Sequence, residues 1–181
     1  MTGRSSRADV RAHLIAVRAG LPDRDALEAR LQEQVARVLA NHSPRCLGFY
    51  WPYRGEPDLR PVVAQWLAAA PGRCAALPVI VGAVMEFHRW DPTETMARGA
   101  YGIAVPASAQ RVVPDCVLVP CVGFDAAAYR LGYGAGWYDR TLAAMAARPL
   151  TLGVAFAACR LDSIHPEAHD IPLDAVVTEA G

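Results

Sequence analysis

Between Tyr129 and Arg140 the chain reads YRLGYGAGWYDR, with glycine at 132, 134 and 136. Glycines let a backbone approach a ligand closely and aim successive amides at one anion. A helix that starts near Trp137 or Tyr138 adds unpaired first-turn amides and the positive end of its dipole. Arg130 contributes a permanent charge with a forked set of donors. Phosphate is the guest such a cradle suits; a tight turn alone requires fewer glycines. Asp139 falls in the first helical turn. There it either offsets the dipole, stabilising by about 0.3–1 kcal/mol, or holds magnesium beside bound phosphates. Two common nucleotide signatures fail: GxGxxG needs glycine where Trp137 stands, and a P-loop needs a lysine that the chain does not have.

The missing lysine excludes more. All 18 basic residues are arginine, so no Schiff base and no tethered pyridoxal phosphate can form. A chain of 181 residues suits one domain, 1–181, with residues 1–6 frayed. With 53% hydrophobic and 20% charged residues it reads as soluble and globular. Zero formal net charge argues against a nucleic-acid or membrane surface built on bulk charge. No apolar run approaches the ~20 residues of a membrane span. The start, MTGRSSRADVRAH, lacks a signal core, so a cytoplasmic location is expected. Cys46, Cys74, Cys116, Cys121 and Cys159 form no CxxC pair and read as reduced thiols, mostly in apolar runs. His165, His169 and Asp170 could suggest zinc, but further close ligands are lacking.

The elements that must position these residues follow from periodicity. Val10, Leu14, Ile15 and Val17 suit an amphipathic helix from Arg7 to about Ala19. Leu27, Leu31, Val35, Val38 and Leu39 mark a second helix after Pro22 and Asp23. DLRPVVAQWLAAA predicts a third, with Pro61 in its first turn, and YDRTLAAMAAR a fourth. CLGFYWPY, CAALPVIV, VMEFHRW, residues 117–124, TLGVAFA and AVVTEA read as strands. Strands alternating with helices predict an α/β fold with a largely parallel sheet. The glycine loop is then expected at the C-terminal end of the 117–124 strand, where such folds bind ligands.

LVPCVGFDAAAYRLGYGAGWYDRTLA resembles the signature of the 5-formyltetrahydrofolate cyclo-ligase (methenyltetrahydrofolate synthetase) family, VPGxxFDxxGxRLGxGKGYYDRxL. RADVRAHLIAVRAGL, YWPYRGEPDLRPV, EFHRWDPTETMARGAYGIAVP and HPEAHDIPLDAVVTE resemble four further family segments, in order, across nearly the whole chain. The resemblance implies a three-layer α/β/α sandwich of cyclo-ligase (NagB/RpiA/CoA-transferase-like) architecture. It also implies a reaction. ATP activates the formyl oxygen of 5-formyltetrahydrofolate, the second pterin-side nitrogen attacks the activated carbon, and phosphate leaves 5,10-methenyltetrahydrofolate. Charge stabilisation and positioning would then be the protein's main task.

Carried onto this chain, the resemblance implies that Arg7 and Arg11 meet the ATP phosphates. Arg130, Leu131, Gly132, Tyr133, Gly134, Ala135, Gly136, Trp137 and Tyr138 would wrap ATP, with Arg130 and Tyr138 catalytic. Tyr133 to Trp137 would also border the folate, with Glu56 bonded to the pterin and Trp51, Phe87 and Trp90 lining its site. Asp139 and Asp170 would hold Mg2+. The implied partner is a reduced folate, with no nucleic acid or membrane, on a monomer or weak homodimer. From the residues alone, Arg7 and Arg11 also suit a solvated helix face, Glu56 a helix start, and Trp51, Phe87 and Trp90 the core. Three positions depart from the family. Its glycine-loop lysine is Ala135, its N-terminal lysine is Arg7, and a glutamate before the GI-x-x-P proline is Val105. Ala135 favours one alternative, a folate or nucleotide binder without turnover; a third reading is an enzyme of the same fold acting on another phosphorylated metabolite.

Overall fold

A computed structural model describes residues 6–181. The expectation for the N-terminal stretch, 1–6, therefore lies almost wholly outside the described residues. The helices are α1 (Arg7–Ala19), α2 (Arg24–His42), α3 (Arg60–Ala68) and α4 (Trp137–Ala144). The strands are β1 (Cys46–Gly48), β2 (Cys74–Val81), β3 (Val84–Trp90), β4 (Met96–Arg98), β5 (Ala104–Pro106), β6 (Arg111–Val112), β7 (Cys116–Pro120), β8 (Gly123–Phe124), β9 (Arg130–Leu131), β10 (Leu150–Val154) and β11 (Ala175–Val177). Seven of them form the main sheet in the order β11-β10-β7-β1-β2-β3-β6. Pairing is parallel from β11 through β2 and antiparallel for β3 and β6.

The two-residue period of a strand sorts side chains between the faces. Leu47, Phe49, Leu118, Leu152 and Val154 face the layer of α2 and α3, where they meet Leu31, Val35, Leu39, Val63 and Trp66. Their odd-and-even neighbours Ala76, Val117 and Val119 face the other side, with Phe124, Leu173 and Tyr138 of α4. Helices thus cover both faces of a mostly parallel sheet, as the resemblance implied.

α1 begins with a capping box in which Ser6 Oγ accepts from the Asp9 amide and Asp9 accepts from the Ser6 amide. It packs through Leu14 onto the small β8–β9 hairpin at Gly123, where a Cβ would lie 2.5 Å from Leu14 Cδ1 and force it to shift. Gly48 is a second notch, since its Cβ would lie 2.8 Å from the Phe87 ring.

One expected element is different. The 117–124 strand stops at Pro120. Gly123 and Phe124 form a separate hairpin with Arg130 and Leu131. The hairpin turn is held by Asp125, whose buried carboxylate accepts from the amides of Ala127, Tyr129 and Ile164. The glycine loop therefore leaves β9, not a parallel strand.

Candidate active site

A cavity of about 420 Å³ opens between the glycine loop, the N-terminus of α1, the 50–56 segment and the start of β3. Its wall includes Arg7, Arg11, Trp51, Glu56, every residue from Arg130 to Asp139, and Asp170. These come from four separated stretches of sequence, so the fold brings most of the expected site residues together.

The glycine loop is the donor side. Gly134 and Gly136 have φ of 96° and 65°, in the left-handed region that glycine enters without penalty. Among the described residues, no amide from Gly132 to Gly136 donates a hydrogen bond to protein. Gly136 caps α4 without a side-chain partner, so the first-turn amides also remain open. Two buried side-chain donors of the wall, Arg7 Nε and Trp137 Nε1, lack a partner among the described residues as well. Buried donors without acceptors are costly, by about 1–3 kcal/mol each, and an anionic guest would satisfy them.

Three arginines border these donors. Arg11 Nε donates to Gly132 O at 2.8 Å, and its guanidinium would lie 3.3 Å from a Cβ at Gly134. Arg7 pairs with Asp170 at 2.6 Å and with Glu167 at 3.3 Å. Arg130, with only 5% of its side chain exposed, pairs with Asp139 at 2.9 Å and donates to Ile171 O at 3.1 Å. The Ile171 amide in turn donates to Asp139 Oδ1 at 3.0 Å. This closed triangle docks the segment that carries Asp170 against the start of α4. α4 is itself fixed to the β2–β3 hairpin, through Thr141 Oγ1 accepting from the Met85 amide and Arg140 donating to Ala83 O. Arg140 also donates to Ala135 O and lies over the Trp137 ring. It braces the loop and is not part of the cavity wall.

Asp139 Oδ2 has no hydrogen-bond partner among the described residues, and Asp170 Oδ1 has only His169 at 3.9 Å. Burial would raise the Asp170 pKa, but the Glu167 amide and the Arg7 guanidinium outweigh it and hold the group below the usual carboxylate range. Among the described residues no cluster of three or more His, Cys, Asp or Glu could hold a metal. That donor set does not suit zinc. It does fit magnesium, which takes one or two carboxylates and completes its shell with phosphate oxygens and water.

Glu56 forms the acceptor side. It is 5% exposed, and Oε2 accepts from the Tyr53 amide at 2.9 Å. Burial pushes its pKa up to about 7, against the Tyr53 amide, Arg18 and Tyr133, which favour the charged form. Burial likewise raises the phenols of Tyr133 and Tyr138, so both remain donors near neutral pH. Leu77, Pro78, Ile80, Met85, Ile103 and Val105 add apolar wall.

Phe87 and Trp90 are placed elsewhere. Phe87 is 4% exposed and packs into the notch at Gly48; Trp90 is 5% exposed and meets Phe49 edge-on at 5.0 Å. Neither lines the cavity, and the expectation that they bound folate is corrected accordingly. They lie three residues apart on a strand, so they point to opposite faces of the sheet. Met85, on the Phe87 side and nearer the strand's start, reaches the cavity instead. Trp51 does line it, with Arg60 stacked 4.4 Å from its ring. Glu56 does not start a helix, because α3 begins at Arg60. Sequence reasoning missed Tyr101, which lines the cavity at 64% exposure with φ of 56°. Its place in the GAYGIAVP turn was the available signal. Arg18, described below, was missed too.

Residues 4–179 match the 5-formyltetrahydrofolate cyclo-ligase family. A 5-formyltetrahydrofolate cyclo-ligase of Haemophilus influenzae is 24% identical over 176 residues, which cover 92% of this chain and 94% of that one. The one from Escherichia coli is 29% identical over 165 residues, covering 83% and 89%. The NMR structure of Aquifex aeolicus 5,10-methenyltetrahydrofolate synthetase superposes with a TM-score of 0.79 at 30% identity, covering 97% of this chain and 90% of that one.

Proposed function

The chain belongs to the 5-formyltetrahydrofolate cyclo-ligase family, and we propose that the cavity between the glycine loop and Glu56 is where it carries out that reaction. The protein is a ligase that closes 5-formyltetrahydrofolate to 5,10-methenyltetrahydrofolate. A binder without turnover is not favoured by those relatives.

One observation carries the assignment of the site. A single cavity holds a row of donors without acceptors beside a buried carboxylate without a bonded cation. The donors suit the phosphates of ATP, held on the amides of Gly132 to Gly136 and by Arg7, Arg11 and Arg130. Glu56 suits N–H donors of the pterin ring, and the Met85, Leu77 and Ile80 wall suits its apolar faces.

The chemistry then balances as follows. A lone pair of the formyl oxygen forms a bond to the γ-phosphorus, and ADP leaves. N10 attacks the formyl carbon, which the phosphate ester has made electrophilic. N10 gives up its proton to the departing phosphate, the carbon–oxygen bond breaks, and the formyl oxygen leaves within inorganic phosphate. The 5,10-methenyl bridge remains. Arg130, fixed by Asp139 and Ile171 before substrate arrives, meets the transferring charge without reorganising. Tyr138 stays protonated and donates to an oxygen of the transferring group. Held by Asp139 and Asp170, magnesium would supply further positive charge to the phosphate oxygens. With alanine at 135, Arg11 is the cation of the cavity wall that bonds to the glycine loop.

The test is turnover. Purified protein with 5-formyltetrahydrofolate, ATP and magnesium is expected to generate the methenyltetrahydrofolate absorbance with one ADP per product. No absorbance growth, from protein that binds both substrates, would refute the assignment.

A further inference from the structure

α1 presents Arg7, Arg11, Leu14 and Arg18 along one stripe, at spacings of four, three and four. The first two reach the cavity, and Leu14 anchors the helix. Arg18 is 1% exposed and is not part of the cavity wall. A buried guanidinium with no carboxylate bonded to it is expensive. Its two hydrogen bonds show where that cost is spent. One NH2 group donates to Arg54 O at 2.8 Å and to Tyr133 Oη at 2.7 Å. Tyr133 Oη donates onward to Tyr53 O at 3.2 Å, and the two rings meet edge-on at 5.5 Å. Arg54 and Gly55 both have positive φ, at 47° and 76°. Such a turn needs outside support where the residue is not glycine. Arg24 supplies more of it, donating to Gly55 O at 2.8 Å.

We infer that Arg18 is a positioning residue: it ties Tyr133 of the glycine loop to the 53–56 turn that delivers Glu56, and so fixes the spacing between the phosphate cradle and the pterin acceptor. The inference rests on the proposed function and adds to it a residue that touches neither substrate. Arg18 also sets the field at Glu56. The other groups around that carboxylate are Tyr50 and Tyr53 from its own segment, Arg24 from α2, Cys121 after β7, Tyr133 from the glycine loop and Tyr138 from α4. Of these only Arg24 is a cation, and it bonds to main-chain carbonyls of the turn.

The experiment compares R18M, R18K and Y133F with wild type for kcat, both KM values and the pH dependence of the folate KM. Losing a charged hydrogen-bonded tie is expected to raise the folate KM of R18M by about tenfold to a hundredfold. The ATP KM should stay within about threefold. Removing the cation makes protonation of Glu56 easier, so the pH at which folate binding changes should move up by about one unit in R18M. R18K, which keeps the charge, should hold that pH and recover part of the KM. Y133F leaves α1 and its charge intact, and is expected to raise the folate KM severalfold; because the Tyr133 hydroxyl also favours the charged form of Glu56, its loss should move the pH upward, by less than R18M does. If R18M fails to fold, R18K and Y133F decide. Equal rises in both KM values, or an unchanged folate KM in folded R18M or in Y133F, would overturn the inference and leave the cyclo-ligase reading standing. A wild type that neither binds nor converts 5-formyltetrahydrofolate would overturn both.

Discussion

Replacing Glu56 by glutamine should make the protein more stable and nearly useless. The carboxylate is 5% exposed and its pKa rises from 4.5 to about 7, chiefly through burial. Below the unfolded value both states hold the proton, and the group is neutral in each. Between 4.5 and about 7 the unfolded chain releases the proton while the folded chain keeps it. Folded protein then binds more protons, so stability falls as pH rises through that window. The loss is complete above the folded value and amounts to about 3 kcal/mol, at 1.36 kcal/mol per pKa unit. Glutamine keeps the shape and can still accept from the Tyr53 amide, but carries no charge to desolvate. The E56Q protein should match wild type near pH 4.5 and exceed it by about 3 kcal/mol at pH 8, or about 5–10 °C in Tm for a chain of this size. The assay is thermal unfolding of both proteins across that range without substrate, beside the folate KM at pH 8. A stability difference that does not grow with pH, or that favours wild type, would refute the reasoning.

Folate binding to the charged form of Glu56 should release up to about half a proton at pH 7, seen as a dependence of binding enthalpy on buffer ionisation; no release, or uptake, counts against it. A135K should leave stability within about 0.5 kcal/mol, because the site is exposed, and should lower the KM for ATP severalfold. R130M leaves the half-buried Asp139 beside Ile171 without its cation and should cost about 2–3 kcal/mol on denaturant unfolding. R130M/D139N should regain much of that stability and none of the activity.

Much of this architecture is legible in the sequence, for physical reasons. α1 keeps its expected ends because Ser6 and Asp9 close a capping box and Gly20 follows. α3 starts where Pro61 allows it. The glycine loop was recognisable because alternating glycines before a helix have few other uses. What stayed hidden depends on tertiary contacts. Nothing local distinguishes a strand that runs from 117 to 124 from one that ends at Pro120 and re-pairs with Arg130 and Leu131. Phe87 and Trp90 look like a stacking platform until strand parity and the notch at Gly48 sort them into the core. Arg18 reads as one more solvated arginine near a helix end. Only the fold shows that its carbonyl and hydroxyl partners lie 36 and 115 residues away.

The most direct probe is an oxygen label. 5-Formyltetrahydrofolate carrying 18O in its formyl group is turned over once with ATP and magnesium, and the released phosphate is weighed. Phosphoryl transfer onto that oxygen within this cavity requires every phosphate to carry one heavy atom. Unlabelled phosphate, with the heavy atom in water, would contradict it.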